Sequence, residues 1–339
     1  MNIQQTRFAI RFAPVYGPSA WVGDELGDQA NWVCELTPEC RREFERLVQI
    51  DPKDQPPSAS EYPHLYAMIH NVKKEVVSGR GFAVLRGAPI EGRELSALKT
   101  AFRLLGSWIG APVSQNRMDE TVTEVTGLDA DTSKSEIRGY QTRDYLPFHC
   151  DSCDVVALLC VRRARSGGES AVVSSMSLYN EILVKHRELL GLFYSGFVYD
   201  RRGEQRGADR AVSSRIPIFS YYRDDLSCRY VRGLIESAVS KSGIALSAIE
   251  RETLDLFDGL SNRPGAALSM MLEPGDIQFC NNHTMLHART AYDDFAEPHK
   301  RRLLLRLWLN IPGCRNLAPD FVTRYTDDGQ WKGIASSLV

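Results

Sequence analysis

ALSMMLEPGDIQFCNNHTMLHAR, residues 267–289, is the stretch that decides the fold class. It holds three short apolar runs, at 267–272, 277–280 and 285–289, separated by Pro274-Gly275-Asp276 and by the polar turn Asn281-Asn282. Runs of this length between turn residues read as strands. A fourth run, 303–309, follows with no helical segment in between. A parallel sheet needs a crossover of a dozen or more residues between successive strands, so a parallel α/β fold is disfavoured.

Further strands are predicted at 155–161, 171–174, 196–199, 218–222 and 229–231, most of the set lying after residue 145. Short strands with turns between them suggest a sandwich or jelly roll. Helices are predicted outside this β core. Thr37-Pro38 is a helix start, with Cys40, Phe44, Leu47 and Val48 on one face. Leu65, Met68, Ile69, Val72 and Val76 form a second stripe that stops at Gly79, and a third runs from Leu95 to Ile109 after the strand GFAVLRG at 81–87. Two more are expected at 177–193 and 247–260. Residues 51–60 (DPKDQPPSAS) read as a polar connector. The expectation is one domain, mainly β with flanking helices.

Bulk composition excludes several classes. The chain of 339 residues is 43% hydrophobic and 25% charged, ordinary for a globular protein. A formal net charge of −2 gives no global attraction to nucleic acid or to an anionic membrane. The N-terminus lacks the apolar core of a secretory signal, and the longest apolar run, Val155–Val161, is far too short to span a bilayer. A cytoplasmic protein is expected, with neither nucleic acid nor membrane as partner; homo-oligomerisation is left open. The eight cysteines then read as reduced thiols, most of them buried as small apolar residues.

The chemistry concentrates in FHCDSCD, residues 148–154. Side chains alternate along a strand, so an extended run turns His149 and Asp151 to one face and Cys150 to the other. An imidazole and a carboxylate aimed at one point make two-thirds of the 2-His-1-carboxylate triad that holds non-haem Fe(II). The competing reading uses Cys150 and Cys153 as a zinc or redox motif. A closed zinc site needs four ligands, and no second C-x-x-C follows; the motif runs straight into the apolar strand DVVALLCV. For the distal histidine there are two choices, His283 in the turn NNHT and His287 in the strand MLHAR. A strand backbone aims a side chain better than a turn does, which favours His287.

Downstream comes RRLLLRLWL, where alternation puts Arg302, Leu304 and Arg306 on one face. Arginines turned inward call for an anion, because an unpaired buried guanidinium is costly. The planar fork suits a carboxylate. The bland alternative is an edge strand with solvated arginines.

In order, GRGFAVLRG (79–87), PVSQN (112–116), LPFHCDSCDV (146–155), GGES (167–170), LEPGDIQFCNNHTMLHART (272–290) and RRLLLRLW (301–308) together resemble the TauD/TfdA family of Fe(II)/2-oxoglutarate-dependent dioxygenases. The resemblance implies a double-stranded β-helix (jelly-roll, cupin-like) core over 79–310, a helical flank at 1–78 and an extension at 311–339. It implies His149, Asp151 and His287 as iron ligands, and Arg302 with Ser170 on the distal carboxylate of 2-oxoglutarate. Arg306 would support the co-substrate or hold an anionic group of the substrate. Substrate contacts are expected from Gln115, Asn116, the segment 138–145 with Tyr145, and Ser152, with 199–210 as either a solvated loop or a lid. The implied reaction consumes Fe(II)-bound O2 and 2-oxoglutarate, releases succinate and CO2, and hydroxylates a C–H bond of a small carboxylated, amino-acid-like or sulfonated metabolite. Desaturation or cyclisation at the same metal centre and a catalytically silent metal-binding module are the alternatives. Asp151 argues against halogenation, for which related enzymes leave the carboxylate position open.

Overall fold

A computed structural model describes residues 9–51, 57–127, 141–204, 210–319, 321 and 334 of the chain. Its first half runs β1 (Val33–Glu35), α1 (Pro38–Val48), α2 (Pro63–Val77), β2 (Phe82–Arg86), α3 (Leu95–Ser107), β3 (Ala111–Val113) and β4 (Val122–Val125). The central part continues with β5 (Leu146–His149), β6 (Val155–Arg162), β7 (Ser166–Gly167), β8 (Ser170–Ser174), α4 (Ser175–Lys185), α5 (Leu190–Ser195) and β9 (Phe197–Asp200). Then come β10 (Val212–Ile216), β11 (Phe219–Tyr222), β12 (Asp225–Cys228), α6 (Arg232–Ser242) and α7 (Ala248–Ser261). The chain closes with β13 (Leu268–Met270), β14 (Ile277–Asn281), β15 (Met285–Arg289), β16 (Tyr292–Asp293) and β17 (Leu303–Asn310).

Two sheets carry the architecture. The larger has seven strands in the order β1-β2-β14-β6-β17-β3, with β4 also on β17; the smaller has four, β13-β8-β15-β5. Every pairing in both is antiparallel except β1 with β2. The absence of crossover helices after β13 is what produces this pattern.

Strand alternation sorts the apolar side chains into three layers. Leu85, Leu159, Phe279, Leu305 and Leu307 face outward from the large sheet onto Phe44 of α1, Leu65 of α2 and Phe102 of α3. Val84, Val156, Cys280, Leu304 and Trp308 face inward and meet Val172, Met270 and Met285 of the small sheet. The outer face of the small sheet (Phe148, Val173, Leu286, Ala288) is covered by Tyr179 of α4, Phe193 of α5 and Phe257 of α7. The result is two packed sheets between two helical layers, and each fully buried large apolar side chain contributes about 1.5–3 kcal/mol.

Local signals explain most helix ends. Thr37 caps α1 by accepting from the Cys40 N–H, with Pro38 in the first turn. Ser247 and Glu250 form a capping box at α7. Two expectations are corrected. The helix predicted over 177–193 breaks into α4 and α5 around His186, whose φ of −137° is not helical. The strand predicted at 229–231 ends at Cys228, because β12 closes a hairpin with β11. α6 then follows unannounced: only Ile235 and Ala238 are buried in it, too few to mark an apolar stripe. The strand RRLLLRLWL is no wet edge either; β17 lies inside the large sheet with all eight residues buried.

Phe257 is fully buried and packs edge-on against Phe219 and Tyr230. Phe257→Ala should cost about 3–5 kcal/mol of unfolding free energy, measured by urea titration; a loss under about 1 kcal/mol would mean that this layer does not support the small sheet.

Candidate active site

Between the two sheets lies a cavity of about 460 Å³. Its walls come from both: His149, Ser170, His287 and Arg289 from the small sheet, Leu304, Arg306 and Trp308 from β17, with Asp151 and Arg302 from adjoining turns. α6 and Tyr145 border it as well.

Ladder register brings the two histidines together. His287 of β15 is the cross-strand partner of His149 of β5, and the ring centroids are 4.3 Å apart. Asp151 Oδ2 stands 3.7 Å from His287 Nε2. Asp151 arrives by a different route from the one expected: β5 ends at His149, so strand alternation does not extend to Asp151. A turn carries it back instead, pinned where the Asp151 N–H donates to Asn282 Oδ1 at 2.9 Å. Asn282, only 2% exposed, also donates from Nδ2 to Cys153 Sγ at 3.2 Å. Sequence assigns Asn282 to the β14–β15 turn alone; a contact between residues 131 apart leaves no local trace.

The protonation states suit ligands. Burial pushes the His287 pKa down to about 3, and the nearby His149 adds to that. His149, partly open to the cavity, is also lowered by desolvation. Both imidazoles are therefore neutral near pH 7. His149 Nδ1 lies 2.8 Å from the Pro147 carbonyl, which makes Nδ1–H the donor and leaves the Nε2 lone pair available. Burial pushes the Asp151 carboxyl up, but Arg306 and the two histidines outweigh it and the net shift is downward. Asp151 Oδ2 is buried without a hydrogen-bond partner. Two neutral imidazoles and a carboxylate with an unclaimed oxygen make a donor set that fits Fe(II). These side chains meet pairwise: among the described residues no three His, Cys, Asp or Glu groups already close around an ion position.

Arg306 is held rather than free. Its Nε donates to Gln115 Oε1 at 2.7 Å and its Nη1 lies 3.4 Å from Asp151 Oδ1. Gln115, expected at the cavity mouth as a substrate contact, is fully buried and returns a bond from Nε2 to the Arg306 carbonyl. That expectation is corrected: Gln115 positions Arg306. Asn116 is corrected too; its Oδ1 accepts from the Met118 and Glu120 N–H groups of its own turn, away from the cavity wall. Tyr145 and Ser152 do line the cavity, Tyr145 donating to Asn262 and Ser152 accepting from Arg229.

At the far end Arg302 is 6% exposed, its Nη1 has no partner and its guanidinium stacks over Tyr292 at 5.1 Å. Ser170 donates to Gln278 Oε1 at 2.6 Å, while Gln278 Nε2 is buried and unpartnered. Turning that amide by 180° would place Nε2 on Ser170 and release the hydroxyl toward the cavity. Arg289, which sequence reading passed over, lies on the same wall; its signal was the spacing of two from His287, which puts both on one strand face.

His283 and the cysteines stand apart. His283 Nε2 pairs with Asp154 Oδ1 at 2.8 Å, and Asp154 Oδ2 accepts from the Ile311 N–H, so this buried pair ties the turn to the end of β17. Cys150 packs into the layer outside the small sheet, Cys153 into the layer between the sheets. Two thiols on opposite sides of a sheet cannot share a metal or a disulfide. Part of the 138–145 segment and of 199–210, and most of 311–339, lies outside the described residues.

Residues 58–308 match the model of the taurine catabolism dioxygenase TauD, TfdA family. The chain belongs to that family. As a TauD/TfdA dioxygenase it is an oxidoreductase that uses Fe(II), 2-oxoglutarate and O2. Among curated relatives it is 33% identical to FR-33289 synthase of Streptomyces rubellomurinus over 320 residues, 91% of this chain and 94% of that one. It is 25% identical to a uridine-5'-phosphate dioxygenase of Amycolatopsis over 262 residues, 73% and 92% of the two chains. The fold is shared with an asparagine oxygenase solved with Fe(II), 3-hydroxyasparagine and succinate (TM-score 0.61, 17% identity, 82% of this chain and 93% of that). It is shared also with the non-haem iron oxygenase OrfP in complex with Fe and α-ketoglutaric acid (0.57, 14%, 82% and 94%). Among the described residues of this TauD-family chain no helix is long and apolar enough to cross a membrane.

The thiol environment of this dioxygenase makes a direct prediction. Burial pushes Cys150 up to about 11 and Cys153 well above its ordinary value, so neither is a thiolate near pH 7. Iodoacetamide at pH 7 should leave both unmodified in the native protein and alkylate both after unfolding, as read by peptide mass spectrometry. Rapid native labelling of either would restore the cysteine-centred reading.

Proposed function

We propose that His149, Asp151 and His287 are the iron ligands, that Arg302 with Ser170 receives the distal carboxylate of 2-oxoglutarate, and that the substrate is a small amino-acid-like or otherwise anionic metabolite hydroxylated at a C–H bond. The observation that carries this reading is the meeting, in one inter-sheet cavity, of three donors with an inward, unsatisfied arginine. We take the chain as a single domain whose 79–310 core is a jelly roll, flanked by 1–78 and 311–339; the two antiparallel sheets around the cavity support that view.

When bound, iron and 2-oxoglutarate supply the oxidising chemistry, O2 being consumed as 2-oxoglutarate loses CO2 and becomes succinate. The chain's own residues bind and orient. The Pro147 carbonyl holds the His149 ring in the tautomer that presents Nε2. Arg306 keeps Asp151 ionised, and Gln115 keeps Arg306 in place. The inward faces of Leu158, Leu304 and Trp308 dry the cavity wall.

Size and charge support the substrate class. The cavity volume is that of a small-molecule site. Arg202, Arg232, Asp200, Glu204 and Glu236 also line it, Arg232 paired with Glu236 and Asp200 with Lys241, so charges of both signs border a site for a molecule carrying both an ammonium and an acid. Solved proteins of this fold were captured with 3-hydroxyasparagine and with L-Arg.

Purified protein supplied with Fe(II), ascorbate and 2-oxoglutarate should release succinate slowly without substrate and faster with the right metabolite. His149→Ala and Asp151→Ala should abolish release and lower iron content. No turnover across a broad amino-acid and organic-acid panel, with iron bound, would refute the assignment. Asn282→Ala should weaken iron binding by about 10–100-fold through the loosened Asp151 turn, measured by competition with a chelator.

A further inference from the structure

The far wall of the cavity holds a second arginine that the ligand assignments above do not use. Arg289 is 5% exposed and lines the same cavity as Arg302. Both guanidinium groups lie over one tyrosine ring, Arg289 at 4.8 Å and Arg302 at 5.1 Å from the Tyr292 centroid. Two like charges share a single aromatic ring inside the protein.

Among the described residues no ion pair neutralises either cation. Arg289 Nη2 donates to the backbone carbonyls of Thr142 and Asp144, while its Nε and Nη1 are buried without partners. Arg302 Nη1 is likewise unpartnered, and no carboxylate side chain pairs with either guanidinium among the described residues. Leaving two buried cations unpaired is expensive. The two carbonyls hold Arg289 in position without cancelling its net charge, which is the arrangement of a preorganised anion site.

Register places this site at the co-substrate end. Arg289 of β15 is the direct cross-strand partner of Ser170 of β8. Residues so paired have Cβ atoms about 4.5–5.5 Å apart on the same face. Gly168, two residues before Ser170, lets Arg302 approach: a Cβ there would sit 3.1 Å from Arg302 Nε. Ser170, Arg302 and Arg289 thus line the same cavity, with Arg289 directly opposite Ser170 in the ladder. We propose that Arg289 is a second binding residue for 2-oxoglutarate, so that its distal carboxylate is clasped between two guanidinium groups rather than by Arg302 alone. The inference rests on the reading of this wall as the co-substrate site. It makes the distal carboxylate the group that discharges both buried cations. A 2-oxo acid lacking that carboxylate leaves both cations unpaired, so the site selects a diacid.

The test is anaerobic calorimetric titration of the Fe(II)-loaded protein with 2-oxoglutarate and with 2-oxobutyrate, which keeps the chelating end and lacks the distal carboxylate. Arg289→Met should weaken 2-oxoglutarate at least about tenfold, a loss typical of a removed charge-assisted hydrogen bond, and leave 2-oxobutyrate unchanged. Arg289→Lys, which keeps the charge and loses the fork, should fall between wild type and Arg289→Met. Iron content and thermal unfolding of each variant report folding, and Arg289→Lys carries the test if Arg289→Met does not fold. Wild-type 2-oxoglutarate affinity in Arg289→Met, or equal losses for both acids, would overturn the proposal. Arg302→Met separates the two levels: if it loses 2-oxoglutarate and Arg289→Met does not, only this inference fails. If neither variant loses it, the co-substrate assignment fails as well.

Discussion

A slip of β15 by one residue against its neighbours would dismantle the site, because side chains alternate with a period of two. In the observed register His287 stands opposite His149 on one side and Val172 on the other, and Arg289 stands opposite Ser170. The intervening Leu286 and Ala288 face the helices. Shifted by one, an imidazole and a guanidinium would enter that apolar layer and two apolar groups would enter the cavity. The cost of burying unpaired polar groups among Leu, Phe and Tyr side chains holds the ladder in place. The register that folds the small sheet is therefore also the register that builds the site.

The second organising feature is charge. Arg289, Arg302 and Arg306 all line the cavity, and of the three Arg306 faces Asp151 near the histidines. Arg306 is satisfied by Gln115 and Asp151, which leaves it structural as well as electrostatic: it holds Asp151 ionised beside two neutral imidazoles. Among the described residues the other two arginines have no such carboxylate partner. The proposed metal ligands and the two arginines thus offer one cavity donors for a cation and donors for an anion.

Much of this was legible from residue order, and the failures share a cause. Apolar stripes located α1, α2, α3 and α7, and turn residues located β14, β15 and β17, since those signals lie within each segment. α6 was missed because it buries little of its own surface, and the strand expected at 229–231 was displaced by the closure of the β11–β12 hairpin. His149 and Asp151 were paired for an insufficient reason: alternation ends at His149, and it is Asn282 that returns Asp151 to the cavity. Gln115 was misread because its partner, Arg306, is 191 residues away.

By itself the sequence determined the residue types, the strand periods and the order of motifs: two histidines and an aspartate with iron-ligand chemistry, inward arginines on a late strand, and an antiparallel β core without crossovers. These follow from local spacing, which the covalent chain preserves. Only the tertiary structure decided which polar groups satisfy one another. It paired Gln115 with Arg306, Asn282 with the Asp151 backbone and His283 with Asp154, and left Arg289 and Arg302 in one cavity without a counter-ion among the described residues. The physical reason is that a buried polar group takes whatever partner packing brings within about 3 Å, and that partner is set by sheet order and register rather than by distance along the chain.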